Sequence, residues 1–413
     1  MRQSSKSILA FALKSYIKSC FKKVKNMNFL FASDSFKGSL SSAQTAGLLQ
    51  KAADEVFPGC SCRSVTAADG GEGTLDAVLN ACNGERITIS VQGPLGAPVN
   101  AAYGAISDHQ AIIEMAAASG LPLIPESMRN PLLTSSYGTG QLIADAVCRG
   151  YTDISIAIGG SATNDGGMGC MRALGIRFLD SDGCELNGTG SDLEKIAFID
   201  RSSLLPGIEK VSFRILCDVT NPLCGPLGAT LVFGAQKGAS PDILSRLEKG
   251  MCHYRDLLES EYDVHPDQLP GAGAAGGLGC ALMVFLHGEM HSGIEQVLEL
   301  IHFDELLTHT DLVVTGEGRT DAQSCHGKVL SGIGRHCLAK GIPVVALSGS
   351  LGEGADPLYQ QGIDSVFTTV NAPMSLTEAV NHAQVLYYDA ALRMFRLLRA
   401  GMKLSVHDVS NAS

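Results

Sequence analysis

From Met27 onward, short continuous apolar runs alternate with segments whose apolar residues recur at helical spacing. Continuous runs fit strands buried on both faces, and the helical segments fit helices packed over them, the signature of a mainly parallel α/β protein. The runs predict strands at 28–33, 63–68, 154–159, 213–219, 311–316, 343–349 and 365–370. The helical pattern covers 41–56, 73–82, 138–149, 240–260, 327–340 and 376–400. One stretch departs from this rhythm. Between 85 and 119, ERITISVQGP and VNAAYGAI alternate about a Gly-Pro-Leu-Gly turn and AIIEMAAAS follows, which predicts an antiparallel hairpin and a third strand. The C-terminal alternation then resumes the style of the N-terminus. The expected architecture is therefore a discontinuous Rossmann-like parallel-sheet domain, 27–84 with 291–405, and a mixed α/β domain inserted at 85–290.

Composition adds bounds. The 413 residues have room for two domains, and 45% hydrophobic with 18% charged residues describes a globular chain. The 47 glycines form no repeat, so they are expected in turns and ligand loops. A net charge of −11 argues against nucleic-acid and anionic-membrane partners. The 13 cysteines, without a C-x-x-C pair, read as reduced thiols of a cytoplasmic protein. No run approaches the ~18–20 apolar residues of a membrane span.

Residues 1–26 stand apart. Arg2, Lys6, Lys14, Lys18, Lys22, Lys23 and Lys25 meet no acid, so the remainder would carry −18 (−11 − 7). Three readings compete: an amphipathic targeting or surface-binding helix, a secretory signal, and a start codon placed too early. The apolar core ILAFAL is short for a signal and no small-residue cleavage site follows. With Met27 directly before a strand, the segment is expected to be an extension outside the fold.

The chemistry gathers in loops that follow predicted strands, where ligands sit in open α/β sheets. SDSFKGS (33–39) offers Asp34 to orient a hydroxyl or metal, and Lys37 to meet a phosphate or carboxylate. ADGGEGT (68–74) pairs Asp69 with Glu72 across Gly70 and Gly71. ISIAIGGSATNDGG (154–167) runs a buried strand into a glycine-rich loop with Ser161, Thr163, Asn164 and Asp165, the pattern of an anion site at a helix N-terminus. CDVTNPLCG (217–225) carries Asp218 and Asn221, and TGEGRTDAQSCHGK (315–328) carries Glu317, Arg319, Asp321 and Lys328. Each loop also reads as a solvated turn or a helix cap. Gly327-Lys328 fails as a P-loop, because Ala322 and Val329 replace the required glycine and hydroxyl residue. GAGAAG (271–276) matches G-x-G-x-x-G but follows no apolar strand, so close packing or a loop over a ligand explains it better. His287 and His291 have i, i+4 spacing without a third metal ligand.

Taken in order, ten blocks resemble the bacterial glycerate kinases of family 1, the glycerate 2-kinase type. They are ASDSFKGSLS, ADGGEGT, GPLGAPV, IIEMAAASGL, NPLLTSSYGTGQLI, IGGSATNDGG, CDVTNPLCG, VFGAQKGA, GAGAAGGLG and TGEGRTDAQSCHGK, spanning roughly 27–390. Ser33 and Ala235 stand where the family pattern has proline, and Cys325 and His326 fall in a variable stretch; none of these departures removes a charged group. The resemblance implies ATP-dependent phosphorylation of D-glycerate with Mg²⁺, usually to 2-phosphoglycerate, in a cleft between two α/β domains. Chemistry then suggests roles. Asp165 or Asp34 would orient the glycerate hydroxyl, and Lys37 and Lys328 would hold the transferring phosphate. Arg319 would fork the carboxylate, and Asp69, Asp218 or Glu317 would hold Mg²⁺. Substrate or ATP contacts are expected from Ser35, Gly70, Gly71, Gly159, Gly160, Ser161, Asn164, Asn221, Lys237, Gly276 and Gly277. Three other classes stand beside it: a nucleotide-dependent oxidoreductase, which would need GAGAAG to follow a strand, a metal-dependent phosphatase of a small hydroxy acid using the same acids, and a noncatalytic sugar-acid sensor that binds glycerate without consuming ATP.

Overall fold

Asn28–Ser33 (β1) is extended because Phe29, Leu30, Phe31 and Ala32 are buried on both faces of a sheet. In the computed structural model, which describes residues 27–411 other than Lys37, Asp69, Glu72 and His326 (side chains to 404), β1 is flanked on both sides. The extension expected at 1–26 lies outside the described residues. The chain divides into two units: the described residues up to Ala67 with those from His302, and Ala68–Ile301.

In the first unit, β1 pairs in parallel with Ser61–Ser64 (β2) and with Leu312–Gly316 (β9). Val344–Ser348 (β10) and Ser365–Thr368 (β11) continue the sheet, giving the order β11-β10-β9-β1-β2. Chain progress runs one way from β1 to β2 and the other way from β9 to β11. The strand order therefore reverses at the β1/β9 junction, which is where open α/β sheets hold ligands. One face is sealed by Ser42–Val56 (α1), with its Ser41/Gln44 capping box, and by Ala383–Asn411 (α9). Phe395 of α9 packs 5.2 Å from Phe29 and 6.4 Å from Phe31, ring to ring. Val329–Lys340 (α8) packs against β9 and β10.

The second unit holds a six-stranded sheet laid down in strict chain order. Its strands are Glu85–Gln92 (β3), Pro98–Ala105 (β4), Gln110–Glu114 (β5), Asp153–Ala157 (β6), Ser212–Leu216 (β7) and Glu289–His291 (β8). The first two pairings are antiparallel and the rest parallel, so the predicted hairpin and third strand are present. Gly96, at φ +85°, closes the hairpin turn by donating to the Gly93 carbonyl. Thr74–Cys82 (α2), Tyr137–Cys148 (α3), Met168–Ala173 (α4), Pro241–Tyr262 (α5), Leu278–Leu286 (α6) and Gly293–Leu300 (α7) surround it. This is the α/β class expected: a parallel sheet in one unit and a mixed sheet in the other.

The unit limits fall at 67/68 and 301/302, against the expected 84/85 and 290/291. The reason is α2. The Leu75 amide donates to Glu114 at the end of β5 and Cys82 Sγ donates to the Leu300 carbonyl, so this helix serves the second sheet. The helix expected at 376–400 breaks at His382 into Leu376–Asn381 and α9. No helix among the described residues is long and apolar enough to cross a membrane.

Candidate functional site

The first unit brings Asp34, Ser35, Glu317 and Lys328 to the strand-order reversal. Asp34 directly follows β1, where its amide donates to the Gly316 carbonyl of β9 at 2.9 Å. Its carboxylate accepts the Ser35 amide at 2.6 Å. Glu317 directly follows β9 and is buried. Its Oε1 accepts Thr320 Oγ1 at 3.0 Å and Ser324 Oγ, and Thr320 Oγ1 in turn meets Ser348 Oγ, at the end of β10, at 2.7 Å. Burial raises the Glu317 pKa above the usual range and the neighbouring Asp34 charge adds to this, while the two hydroxyls and Lys328 oppose it. Lys328 occupies the N-cap of α8, no described side chain caps that helix, and its Nζ reaches Gln323 Oε1 at 3.2 Å. A cation and uncapped amides at one helix start favour an anion there. Arg319 is exposed, pairs with Asp321 at 3.1 Å, and lines an open groove of about 670 Å³ with Gln323, Gly352 and Glu353. Thr320, Ser324 and Ser348, which fix Glu317, went unpredicted; only the position of Ser348 at a predicted strand end hinted at them.

The second unit sorts its candidates by depth. Gly70, Gly71 and Gly159 meet at the ends of β6 and β7, where a Cβ on Gly159 would lie 2.9 Å from the Gly71 Cα. Gly160 (φ +74°) is exposed beside partly exposed Ser161. Asp165, farther along the same loop, is wholly buried and accepts hydrogen bonds from the Ser136 amide and hydroxyl (both 2.7 Å) and from the Gly167 (3.1 Å) and Gly169 (3.2 Å) amides. Asp165, expected to orient a substrate hydroxyl, is thus buried here and held by four hydrogen bonds from within the fold. Gly276 and Gly277 are buried too, because a Cβ on Gly276 would sit 2.1 Å from the Thr163 carbonyl oxygen; they interlock loops instead of presenting amides outward. Asn164 is buried and donates to Thr230 Oγ1 at 3.1 Å. Asn221 closes its own loop by donating to the Leu227 carbonyl at 2.8 Å. Asp218 takes Ser292 Oγ and the Gly293 amide, both at 2.9 Å, and so holds the start of α7. His287 and His291 do not share a helix, since the first ends α6 and the second lies in β8. Lys37 and Asp69 lie outside the described residues.

Lys237 is buried and donates to the Thr163 carbonyl at 2.7 Å. Burial lowers its pKa to about 8, against the pull of the Asp165 charge. A depressed native value means that this group's stabilisation is complete above the unfolded pKa near 10.5 and is lost as pH falls through about 8. The unfolding free energy of the wild type minus that of Lys237→Met is therefore expected to rise across that window, at up to about 1.4 kcal/mol per pH unit. Parallel pH profiles of urea unfolding check it, and a flat difference would place Lys237 in water.

The sequence matches the model of the glycerate kinase family over residues 29–399. The chain belongs to the glycerate kinase family. It is 44% identical to a glycerate kinase of Halalkalibacterium halodurans, over 88% of this chain and 96% of the relative. It is 43% identical to a glycerate 2-kinase of Escherichia coli, over 92% of this chain and all of the relative. Its fold is similar to the crystal structure of a glycerate kinase 2 from Salmonella typhimurium LT2, with a TM-score of 0.79 at 40% identity, covering 92% of this chain and 100% of that one. The chain is thus a family enzyme of the kinase class, which sets aside the oxidoreductase, phosphatase and sensor readings.

Proposed function

We propose that this chain transfers the γ-phosphoryl group of ATP to the 2-hydroxyl of D-glycerate, giving 2-phosphoglycerate and ADP in the cytoplasm. The observation that carries the reading is the set of Asp34, Glu317 and Lys328 at the strand-order reversal of the first unit, in a chain of this family. Phosphoryl transfer asks mainly for positioning and charge neutralisation. Asp34 would orient the hydroxyl and take its proton. Lys328, together with the start of α8, would hold phosphate oxygens. Arg319 would turn from Asp321 to the glycerate carboxylate; an exposed ion pair is worth little, so the exchange costs little. Lys37 and Asp69 remain proposed members, and in the second unit Gly160 and Ser161 are proposed anion contacts.

The donor chemistry fits Mg²⁺. Glu317 and Asp34 are oxygen donors; burial raises the Glu317 pKa and the Asp34 charge adds to it, and a bound divalent cation would offset both. Glu317 is assigned as its protein ligand, and the ion when bound would neutralise charge on the polyphosphate. An ADP-release assay across small hydroxy acids, with phosphate-position analysis of the product, tests the reading. Phosphate on the 3-position, or ADP release unaffected by added glycerate, would overturn it.

A further inference from the structure

The loop after β7 and the face of α5 place two thiols and a carboxylate together. Glu248 and Cys252 are one helical turn apart on α5, and Cys224 faces them from the loop. One donor atom from each residue lies within 4.8 Å of the other two. Glu248 Oε1 accepts the Gly225 amide at 2.6 Å and lies 3.9 Å from Cys252 Sγ. Glu248 Oε2 is buried with no hydrogen-bond partner among the described residues. A buried carboxylate oxygen without a partner is costly and asks for a cation.

We propose that Cys224, Glu248 and Cys252 form a binding site for a thiophilic divalent metal ion, Zn²⁺ above all. Tetrahedral zinc with sulfur at about 2.3 Å and oxygen at about 2.0–2.2 Å sets its donors roughly 3.5–3.8 Å apart, so the three groups need to close by about 1 Å or less. Two sulfur donors select against Mg²⁺, separating this site from the phosphoryl-transfer chemistry. Burial raises the pKa of both thiols, so each carries a proton until the metal displaces it. Binding releases two protons, forms two metal–sulfur bonds and one metal–oxygen bond, and leaves the fourth position to water. The backbone of Cys224 is already anchored, since its amide donates to Asp267 Oδ1 at 2.8 Å while Arg255 holds Oδ2 at 3.1 Å. The bound ion would fasten the loop that carries Asp218 and Asn221 to α5. A second thiol cluster, Asp54, Cys60 and Cys62, has no such orphan: Cys60 Sγ is 3.6 Å from both Asp54 Oδ1 and Cys62 Sγ.

Titrating the reduced full chain with Co²⁺, followed by Zn²⁺ displacement, tests the site. The expected result is one Co²⁺ per chain with tetrahedral visible bands and a thiolate charge-transfer band, both erased by Zn²⁺. Cys224→Ser and Cys252→Ser should each weaken binding at least about a hundredfold, the upper end of what outer-shell losses cost. Glu248→Gln keeps an acceptor for Gly225 and should weaken binding roughly tenfold with the charge-transfer band intact. The Cys60→Ser/Cys62→Ser variant should bind as the wild type does, and urea unfolding confirms that each variant is folded. The proposal falls if the thiolate band is missing, or if it persists in the Cys224→Ser/Cys252→Ser variant. It falls equally if the purified chain retains no metal and carries a Cys224–Cys252 disulfide.

Discussion

Asp34→Asn is expected to lower kcat by about 10²–10⁴-fold, the usual contribution of a positioned general base, with little change in the KM for glycerate. The structural reason lies in how Asp34 is held. Its backbone is fixed to β9 through the Gly316 carbonyl, and the Ser35 amide donates to one carboxylate oxygen. Asparagine retains that acceptor, so the turn after β1 should persist while the proton-accepting charge is lost. Glu317 reports the same substitution independently. Removing the Asp34 charge removes one of the causes that raise its pKa, so Glu317 should ionise more readily. Steady-state kinetics with ADP detection, beside urea unfolding, separate the two outcomes. A kcat within tenfold of wild type would take Asp34 out of the mechanism, and a shifted unfolding midpoint would make it a structural cap.

The first unit was readable because its strands are short apolar runs that end abruptly in polar loops. A strand buried on both faces leaves the same trace in any sequence, and Asp34 and Glu317 stand directly at two such ends. What the pattern hid was depth. Asn164, Asp165 and Lys237 belong to the residue types that usually mark a site, yet they are buried, while Gly160 and Ser161 are exposed or partly exposed. Their partners come from far along the chain: Ser136 for Asp165, Thr230 for Asn164. No local spacing announces such pairs. The same holds for α6, whose residues are almost all buried; a helix apolar on every side has no periodic stripe to detect. Edge strand β2 was displaced from the predicted 63–68 to Ser61–Ser64 because it pairs only with β1 and needs few apolar residues.

Asp165→Ala should act in the opposite way to Asp34→Asn, costing stability first. The substitution strips a shared acceptor from the Ser136, Gly167 and Gly169 amides, all buried. Each unsatisfied donor costs about 1–3 kcal/mol, partly offset because a buried charge is no longer desolvated, so a net loss of about 3–5 kcal/mol is expected. That is a large share of the ~5–15 kcal/mol that holds a typical domain. Lys237 also loses the neighbouring charge that favours its protonated form, so its native pKa should fall further below about 8. The pH dependence has a definite sign. Burial, the largest cause, raises the Asp165 pKa above its unfolded value near 3.8. Its linked stabilisation is thus complete below that value and lost as pH rises through the raised native one. The gap in unfolding free energy between wild type and variant should therefore be widest in acid and narrow as pH rises. Urea unfolding at several pH values, paired with kcat for the protein that remains folded, measures both effects. An unchanged urea midpoint accompanied by a collapse of kcat would return Asp165 to the reacting atoms.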